Sequence, residues 1–228
     1  MSPHPAPDRR LSPRQARQLM DSAYLAAATA LLWLGLYYLP VGGPLFRLAL
    51  PLPLALLQLR HGWRCAVEGL VVTTLLLVAL MGPIRGPLVL FPYGLLALWL
   101  GWGWRRRCSW WLTLSLGGLI GAGGFLVRLA VLSVLVSENL WVLITNAAAR
   151  FLEWLFSLVG LLPGLEALRS PVFDLFAVQV TALLLVLVQN LIVVLCLHAV
   201  AYWIFPRLKA PISEPPPQLR ALVALDPL

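Results

Sequence analysis

Clusters of arginine divide this chain into runs of apolar residues, each close to the length of a membrane-spanning helix. A helix rises about 1.5 Å per residue, so about 20 apolar residues cross a hydrocarbon layer of about 30 Å. Of the 228 residues, 61% are hydrophobic and 11% are charged, whereas soluble domains carry about 25% charged residues. The pattern predicts an all-α, polytopic membrane helix bundle.

Six segments meet or approach the spanning length. Segment 44–59 is short and contains Pro51 and Pro53, so we expect it to be kinked, tilted or partly re-entrant. The six spans form an integral membrane domain, 21–206, between a disordered tail, 1–20, and a Pro-rich tail, 207–228. The predicted spans are 22–40, 44–59, 65–82, 86–104, 109–136 and 173–204.

The distribution of basic residues predicts the orientation of the bundle. Cytoplasmic segments of membrane proteins are enriched in Lys and Arg. If the N-terminus is cytoplasmic, the outside segments hold only Arg47, Arg85, Arg150 and Arg169. We therefore expect both termini in the cytoplasm and a location in a bacterial cytoplasmic membrane. The inside segments then hold Arg9, Arg10, Arg14, Arg17, Arg60, Arg64, Arg105, Arg106, Arg107, Arg207, Lys209 and Arg220.

Segment 140–162 is apolar but is interrupted by polar residues. At 100° per residue, Asn146, Arg150, Glu153 and Ser157 fall on one stripe, with apolar residues on much of the remainder. This pattern predicts an amphipathic helix on the outer face. It either lies in the interface or forms a lid over an outward-facing cavity.

Arg128 is a permanent cation inside the fifth predicted span. It lies 20 residues after Cys108, which is about 30 Å along a helix and near the outer boundary. Its side chain could reach the outer headgroups. Alternatively, it faces a cavity, where it binds an anionic ligand or pairs with Glu138 or Glu153.

Other small and polar residues within the spans give two further expectations. Gln179 and Asn190 share one face of the sixth span, where they bond neighbouring helices or contact a ligand. The glycine-rich segment 117–124 permits close packing of a neighbouring helix, or else unwinds to expose backbone dipoles. Its small-residue pairs are Gly117 with Gly121 and Gly118 with Ala122.

Several classes of protein are disfavoured by what the sequence lacks. It contains no HExxH, GxSxG or phosphate-binding GxxxxGK[ST] motif, and no paired acidic residues at metal-ligand spacing. We therefore expect no enzymatic activity, no metal and no cofactor. The basic clusters orient helices, so membrane lipid is the expected partner and nucleic acid is not.

The first span carries alanines at helical spacing, namely Ala23, Ala26, Ala27 and Ala30. An Ala-x-x-x-Ala motif in the first of about six helices resembles the substrate-binding S components of energy-coupling-factor transporters. That resemblance implies that the four alanines dock a transmembrane coupling subunit driven by two cytoplasmic ATPases. Close packing within the bundle is the alternative explanation for the alanines.

Residues 48–106 show a second and more specific resemblance. The segments "LPLPLALLQLRHGW", "MGPIRGP" and "GLLALWLGWGWRR" are similar to those of the YybS-like family of predicted bacterial membrane proteins. This family has no firmly assigned activity, and the resemblance implies an architecture related to that of S components. It implies no particular substrate.

Two functions follow as hypotheses. The first is a substrate-capture subunit of an ATP-driven uptake system, binding an unidentified small molecule from outside through Arg128, Arg150, Gln179 and Asn190. The second is a non-catalytic structural or assembly subunit of a membrane complex, comparable to the rod-shape membrane component MreD. In the second case the small-residue faces dock protein neighbours and there is no ligand.

Overall fold

The computed structural model describes residues 12–40, 42–159, 174–210 and 212–219. Within these ranges the chain folds into α-helices, with a short 3-10 helix at Pro87–Leu90. The predicted all-α membrane bundle is therefore confirmed. The α-helices are α1 Pro13–Tyr38, α2 Gly43–Ala49, α3 Leu52–His61, α4 Trp63–Met81, α5 Tyr93–Arg105, α6 Trp110–Val136, α7 Trp141–Val159 and α8 Leu175–Ile204.

Five helical segments are long and apolar enough to cross a membrane, judged by length and composition. They are α1, α4, the 3-10 helix together with α5, α6, and α8. Their outward surfaces carry large apolar side chains, such as Leu75, Leu119 and Ile192, which are 62%, 55% and 55% exposed. An all-round apolar surface of this kind is typical of helices that face lipid.

Helix α1 begins earlier than the sequence predicts. Ser12 accepts a hydrogen bond from the backbone N–H of Gln15, and the Gln15 side chain accepts one from the Ser12 N–H. Pro13 occupies the first helical position, where its missing N–H costs nothing. Residues 13–20 are therefore helical and not part of a disordered tail, whereas residues 1–11 lie outside the described ranges.

The predicted span 44–59 is a broken helix. Leu50 and Pro51 separate α2 from α3, because Pro51 and Pro53 cannot donate the backbone hydrogen bonds that would continue α2. Helix α2 has no buried residue, whereas five of the ten residues of α3 are buried. Neither piece alone has the length of a span.

The broken helix nevertheless carries the chain from one end of the bundle to the other. A Cβ built on Gly35, near the end of α1, would lie 3.1 Å from the Phe46 ring of α2. At the other end, His61 of α3 contacts Asp21 of α1 at 2.8 Å. The pair α2–α3 therefore runs antiparallel to α1, between α1 and α4 in the chain.

The segment after α8 returns to the end of the bundle where α1 begins. The Leu208 carbonyl accepts a hydrogen bond from Arg60 at the end of α3, and the Ser213 carbonyl accepts one from Trp110 at the start of α6. Ile212 and Leu219 are buried in the same apolar cluster as Trp110. We call this the basic end, because the arginines that follow α5 also lie there.

Helix α7 packs mainly against α8 and touches α6 only weakly. Asn146, Arg150 and Glu153 are exposed, as the predicted polar stripe requires, while Ala148 is fully buried. Helix α7 is not among the candidate spans of the described residues. Predicted residues 160–162 of this helix, and residue 173 of the last span, lie outside the described ranges.

Candidate functional site: a cavity around Arg128

A cavity of about 220 Å³ lies between α2, α5, α6 and α8. Helix α6 starts at the basic end, and Arg128 is 18 residues after its first residue, Trp110, which is about 27 Å along the helix. Arg128 therefore lies nearer the end of the bundle opposite the basic end. Its lining residues are Arg47, Pro92, Tyr93, Leu96, Phe125, Arg128, Leu129, Leu132, Gln189, Asn190 and Val193.

Arg128 is held by three aromatic residues. One guanidinium nitrogen, Nη2, donates a hydrogen bond of 2.9 Å to the Tyr37 hydroxyl. The guanidinium carbon lies 5.1 Å from the centre of the Trp33 ring and 5.9 Å from that of Tyr93. Both distances are within the range of cation–π attraction, so the side chain is stabilised and oriented by α1 and α5.

Much of the hydrogen-bonding capacity of Arg128 remains available. A guanidinium has five N–H donors, and the hydrogen bond to Tyr37 uses one of them. The predicted alternative of an ion pair between Arg128 and Glu138 or Glu153 is not formed in the described structure.

The lining of the cavity is electropositive. Arg47 of α2 joins Arg128, and no described lining residue is Asp or Glu. Gln189 and Asn190 add amide groups, while Leu96, Phe125, Leu129, Leu132 and Val193 make the remaining walls apolar. Two cations, two amides and an apolar wall are complementary to a small anion with some apolar surface.

Asn190 is positioned by the glycines of α6. Its Nδ2 donates to the Val186 carbonyl at 2.8 Å, and its side chain is 8% exposed. A Cβ built on Gly121 would lie 2.7 Å from the Asn190 Oδ1 atom. Any side chain at Gly121 would therefore displace the amide from the cavity.

The other predicted small residues of α6 also face neighbouring elements. Gly117 faces Val194 and Gly118 faces Leu191, both in α8, and both glycines are buried together with Ala122. Helix α6 is continuous through this segment. The alternative of an unwound turn is therefore not realised.

Two predicted contact residues lie away from the cavity. Gln179 is exposed near the start of α8, and Arg150 is exposed on α7. No described residue of α7 lines the cavity, so the lid over it that the sequence suggested as an alternative is not formed. The reason is that α7 packs against α8, while the cavity is closed by α2 and α5.

The four alanines of α1 divide between two faces. Ala26 and Ala30 are 0% and 1% exposed, and the Thr73 hydroxyl of α4 lies 3.2 Å from the Ala26 carbonyl. These two alanines pack within the chain and cannot contact a partner helix. Ala23 is exposed and Ala27 is half-buried, so the predicted docking face is reduced to these two.

His198 is fully buried and engaged. Its Nδ1 lies 2.8 Å from the Val194 carbonyl, and its Nε2 lies 2.8 Å from the Thr113 hydroxyl. Because a carbonyl only accepts, Nδ1 carries the proton, and Nε2 accepts from Thr113. Among the described residues no group of three or more His, Cys, Asp or Glu side chains could hold a metal ion.

Sequence reasoning missed several residues of the site. The sequence predicts Arg47 only as part of an outside segment, and no sequence pattern places Trp33, Tyr37 or Tyr93 beside Arg128. Tyr37 and Arg128 are 91 residues apart. A single sequence contains no signal for such a contact, although an arginine within a span is expected to contact a polar or aromatic group.

The fold and this cavity define a multi-pass helical membrane protein with an arginine-lined cavity between its helices. The chain belongs to the family described as "Predicted membrane protein (DUF2232)", whose model matches residues 26–222. The chain is also similar to the uncharacterized protein YybS of Bacillus subtilis (strain 168), with 31% identity over 94 residues.

The similarity to YybS covers 41% of this chain and 30% of the relative. The resemblance to the YybS-like family that residues 48–106 indicate is thus confirmed. No solved structure matches the chain.

Proposed function

We propose that this protein is a substrate-capture subunit of an ATP-driven uptake system, resembling the S components of energy-coupling-factor transporters, and that it binds a small anion in the Arg128 cavity. The observation that carries the proposal is the positioning of Arg128 by Trp33, Tyr37 and Tyr93. Placing a cation in a span is costly, and in membrane proteins such residues commonly mark a ligand or ion pathway.

The dimensions of the cavity limit the ligand. A volume of about 220 Å³ equals about seven water molecules at roughly 30 Å³ each. Pockets for drug-sized ligands measure about 300–1,000 Å³. The proposed ligand is therefore a small carboxylate or phosphate, below drug size.

A membrane subunit of this kind requires a partner to supply energy. We propose that the bundle itself catalyses no reaction and docks a coupling subunit, driven by cytoplasmic ATPases, through the exposed side of α1. Ala23 lies there beside a groove between α1 and α4 that also exposes Glu68. A small side chain next to polar groups suits close approach of another membrane helix.

The ligand proposal is tested on the full-length protein in nanodiscs. Small molecules that co-purify are identified by mass spectrometry, and unfolding midpoints are measured with acetate, larger carboxylates and inorganic phosphate. At least one of these anions should raise the midpoint of the wild type. Arg128→Gln should weaken its binding about tenfold or more, since hydrogen bonds to a charged group are lost.

The matched control is Arg85→Gln, which removes an exposed arginine from the α4–α5 connection. This variant should bind like the wild type. If no tested anion stabilises the protein and none co-purifies, or if both variants lose binding equally, the cavity is not an anion site and the proposal fails.

The partner proposal is tested separately by substituting Ala27. Ala27→Trp should abolish recovery of a coupling subunit and ATPases from native membranes while leaving anion binding unchanged. Ala130→Trp, a change at an exposed alanine of α6, provides the control and should leave recovery intact. If coupling proteins are recovered with neither the wild type nor the control, the proposed transport function is contradicted.

The alternative function, a structural or assembly subunit comparable to MreD, is favoured by the groove between α1 and α4. Gln15, Gln18, Ser22 and Glu68 line it together with Ala23. Polar groups on an outward face can bind another membrane protein without any solute. On this alternative, Arg128→Gln would leave the partners unchanged and Ala27→Trp would disrupt assembly of a complex that contains no ATPase.

A further inference from the structure

A second cavity, unrelated to the Arg128 site, lies at the basic end of the bundle. It is a cleft of about 1260 Å³ between the start of α1, the end of α3, the α5–α6 connection and the segment after α8. We call it the basic cleft. Its basic lining residues are Arg17, Arg60, His61, Arg105, Arg107 and Lys209.

The cleft carries an excess of positive charge. Among the described lining residues, Asp21 is the one carboxylate, and it is already engaged by His61 at 2.8 Å and Arg60 at 3.6 Å. Arg60 also donates to the Leu208 carbonyl, and Arg105 donates to the Gln58 carbonyl. These contacts join α3 to α1, to α5 and to the segment after α8.

Three further cations of the cleft have no such contact. The side chains of Arg17, Arg107 and Lys209 make no hydrogen bond or ion pair with any described residue. The like charges of these side chains repel one another, and none of the three is paired with a carboxylate that lines the cleft. An anion bound between them would do so.

The backbone at two of these cations is also unusual. Arg107 and Lys209 have φ values of 52° and 58°, in the left-handed region. Arg107 comes two residues after the end of α5, and Lys209 ends the turn that follows α8. In each case the next residue donates its N–H to a carbonyl five residues earlier, Cys108 to Gly103 and Ala210 to Phe205. Glycine is the usual residue at such a position, yet here both positions present a cation to the cleft.

The surroundings of the cleft match the headgroup region of a membrane. Three candidate spans, α1, α5 and α8, begin or end beside the cleft. Met20 and Tyr24 line the same cleft and are 55% and 68% exposed. A ligand with a charged head and an apolar body would contact both kinds of side chain.

We propose that the basic cleft binds the phosphate-bearing headgroup of an anionic phospholipid. Arginine donors match phosphate oxygens in geometry and charge. Basic pockets between membrane helices bind anionic headgroups in the same way. The site lies at the opposite end from the Arg128 cavity and does not depend on the proposed uptake function.

The test uses the full-length protein and removes charge without introducing backbone strain. Arg107→Gly/Lys209→Gly eliminates two cations and replaces both left-handed residues with the one that adopts this conformation freely. In nanodiscs of phosphatidylcholine alone, the variant should unfold at the wild-type midpoint or above. Retention of phosphatidylglycerol or cardiolipin, measured by native mass spectrometry, should fall roughly fivefold per cation removed.

Two comparisons make the result specific. Arg85→Gln/Arg150→Gln removes the same charge at exposed positions outside the cleft, and it should retain lipid like the wild type, as should Arg128→Gln. If the Arg85/Arg150 control loses lipid to the same extent, lipid retention depends on the general surface charge and the proposed site is wrong. If inorganic phosphate displaces the lipid and stabilises the protein to the same extent, the ligand is a free phosphate and the lipid assignment is wrong.

Discussion

At the scale of single residues, Arg128 shows how a charge is accommodated inside a membrane helix. The sequence indicated a cation near one boundary of its span and left three explanations open. The structure places Arg128 in the lining of a cavity, with its guanidinium packed against Trp33 and Tyr93 and bonded to Tyr37. Those partners come from α1 and α5, so no local pattern around Arg128 could have identified them.

The contact between Tyr37 and Arg128 predicts a measurable effect on stability. Tyr37→Phe keeps the ring but removes the hydroxyl that accepts the guanidinium hydrogen bond. We expect the free energy of unfolding to fall by about 1 kcal/mol, below the full value of a charged hydrogen bond because the pair is partly exposed. Unfolding in detergent by denaturant titration measures the change.

The neighbouring tyrosine supplies the control. Tyr38 is 69% exposed and makes no hydrogen bond with a described residue through its hydroxyl, so Tyr38→Phe should leave the stability unchanged. Equal effects of the two substitutions would show that the hydroxyl of Tyr37 has no particular role in holding Arg128.

The pair formed by Thr113 and His198 leads to a second prediction at this scale. Thr113→Val retains the shape of the side chain but leaves the buried Nε2 of His198 without a donor. An unsatisfied buried acceptor costs about 1–3 kcal/mol, so the variant should be destabilised by that amount in the same unfolding measurement.

A double substitution separates the hydrogen bond from packing. Thr113→Val combined with His198→Leu removes both polar partners and should recover part of the lost stability, because no buried acceptor then remains unpaired. If the double variant is less stable than the sum of the two single changes predicts, the polar pair is not the cause of the loss.

At the scale of helices, the sequence predicted the continuous elements well and the interrupted ones less well. The predicted spans 65–82, 109–136 and 173–204 lie close to α4, α6 and α8, because long uninterrupted apolar runs have few alternatives to a helix in lipid. The start of α1 was missed, although Ser12, Pro13 and Gln15 form a recognisable capping sequence.

Helix packing was harder to predict than helix position. Ala23, Ala26, Ala27 and Ala30 are identical in type, yet two face the interior and two face outward. The pattern of small residues shows that something approaches closely, but not whether the neighbour belongs to the same chain. That distinction depends on the rotation of α1 against α4, which only the tertiary structure provides.

The glycines of α6 give a prediction that distinguishes packing from intrinsic helix propensity. Gly121→Ala places a methyl group 2.7 Å from the Asn190 Oδ1 atom, and overpacking of this kind costs about 1–3 kcal/mol. A Cβ on Gly123 of the same helix would meet nothing within 4 Å. Gly123→Ala should therefore stabilise the protein by about 0.5–1 kcal/mol through backbone entropy.

Unfolding midpoints of the two alanine variants, measured side by side, test this expectation. Gly118→Ala, which would collide with Leu191, should behave like Gly121→Ala. Destabilisation of similar size at all three positions would mean that α6 requires glycine for flexibility and not for its contact with α8.

At the scale of the whole molecule, the number of membrane crossings can be inferred from which helix ends lie close together. Five helical segments qualify as continuous spans. An odd number of crossings would place the start of α1 and the end of α8 on opposite sides of the membrane. Contacts of Asp21 with His61 and of Arg60 with Leu208 instead bring the start of α1 and the end of α8 to the same end. We therefore predict that the broken pair α2–α3 makes the additional crossing that this requires.

The charge distribution then predicts which side of the membrane the basic end faces. Cytoplasmic segments carry more Lys and Arg, so the basic end should face the cytoplasm. Cys108 follows the arginines after α5 and is partly exposed, which makes it a natural probe. In a chain that retains Cys108 alone, a membrane-impermeant maleimide should react in inverted vesicles and not in intact cells.

A cysteine at the other end completes the topology test. Arg85→Cys in a background without Cys65, Cys108 and Cys196 should react in intact cells, because the α4–α5 connection lies opposite the basic end. Labelling of both positions from the same side would contradict the six-crossing arrangement itself. Labelling of Cys108 from outside, with position 85 protected, would mean that the six-crossing arrangement is right but its orientation is reversed. The Arg128 cavity would then lie toward the cytoplasm, where it could not capture a solute for uptake.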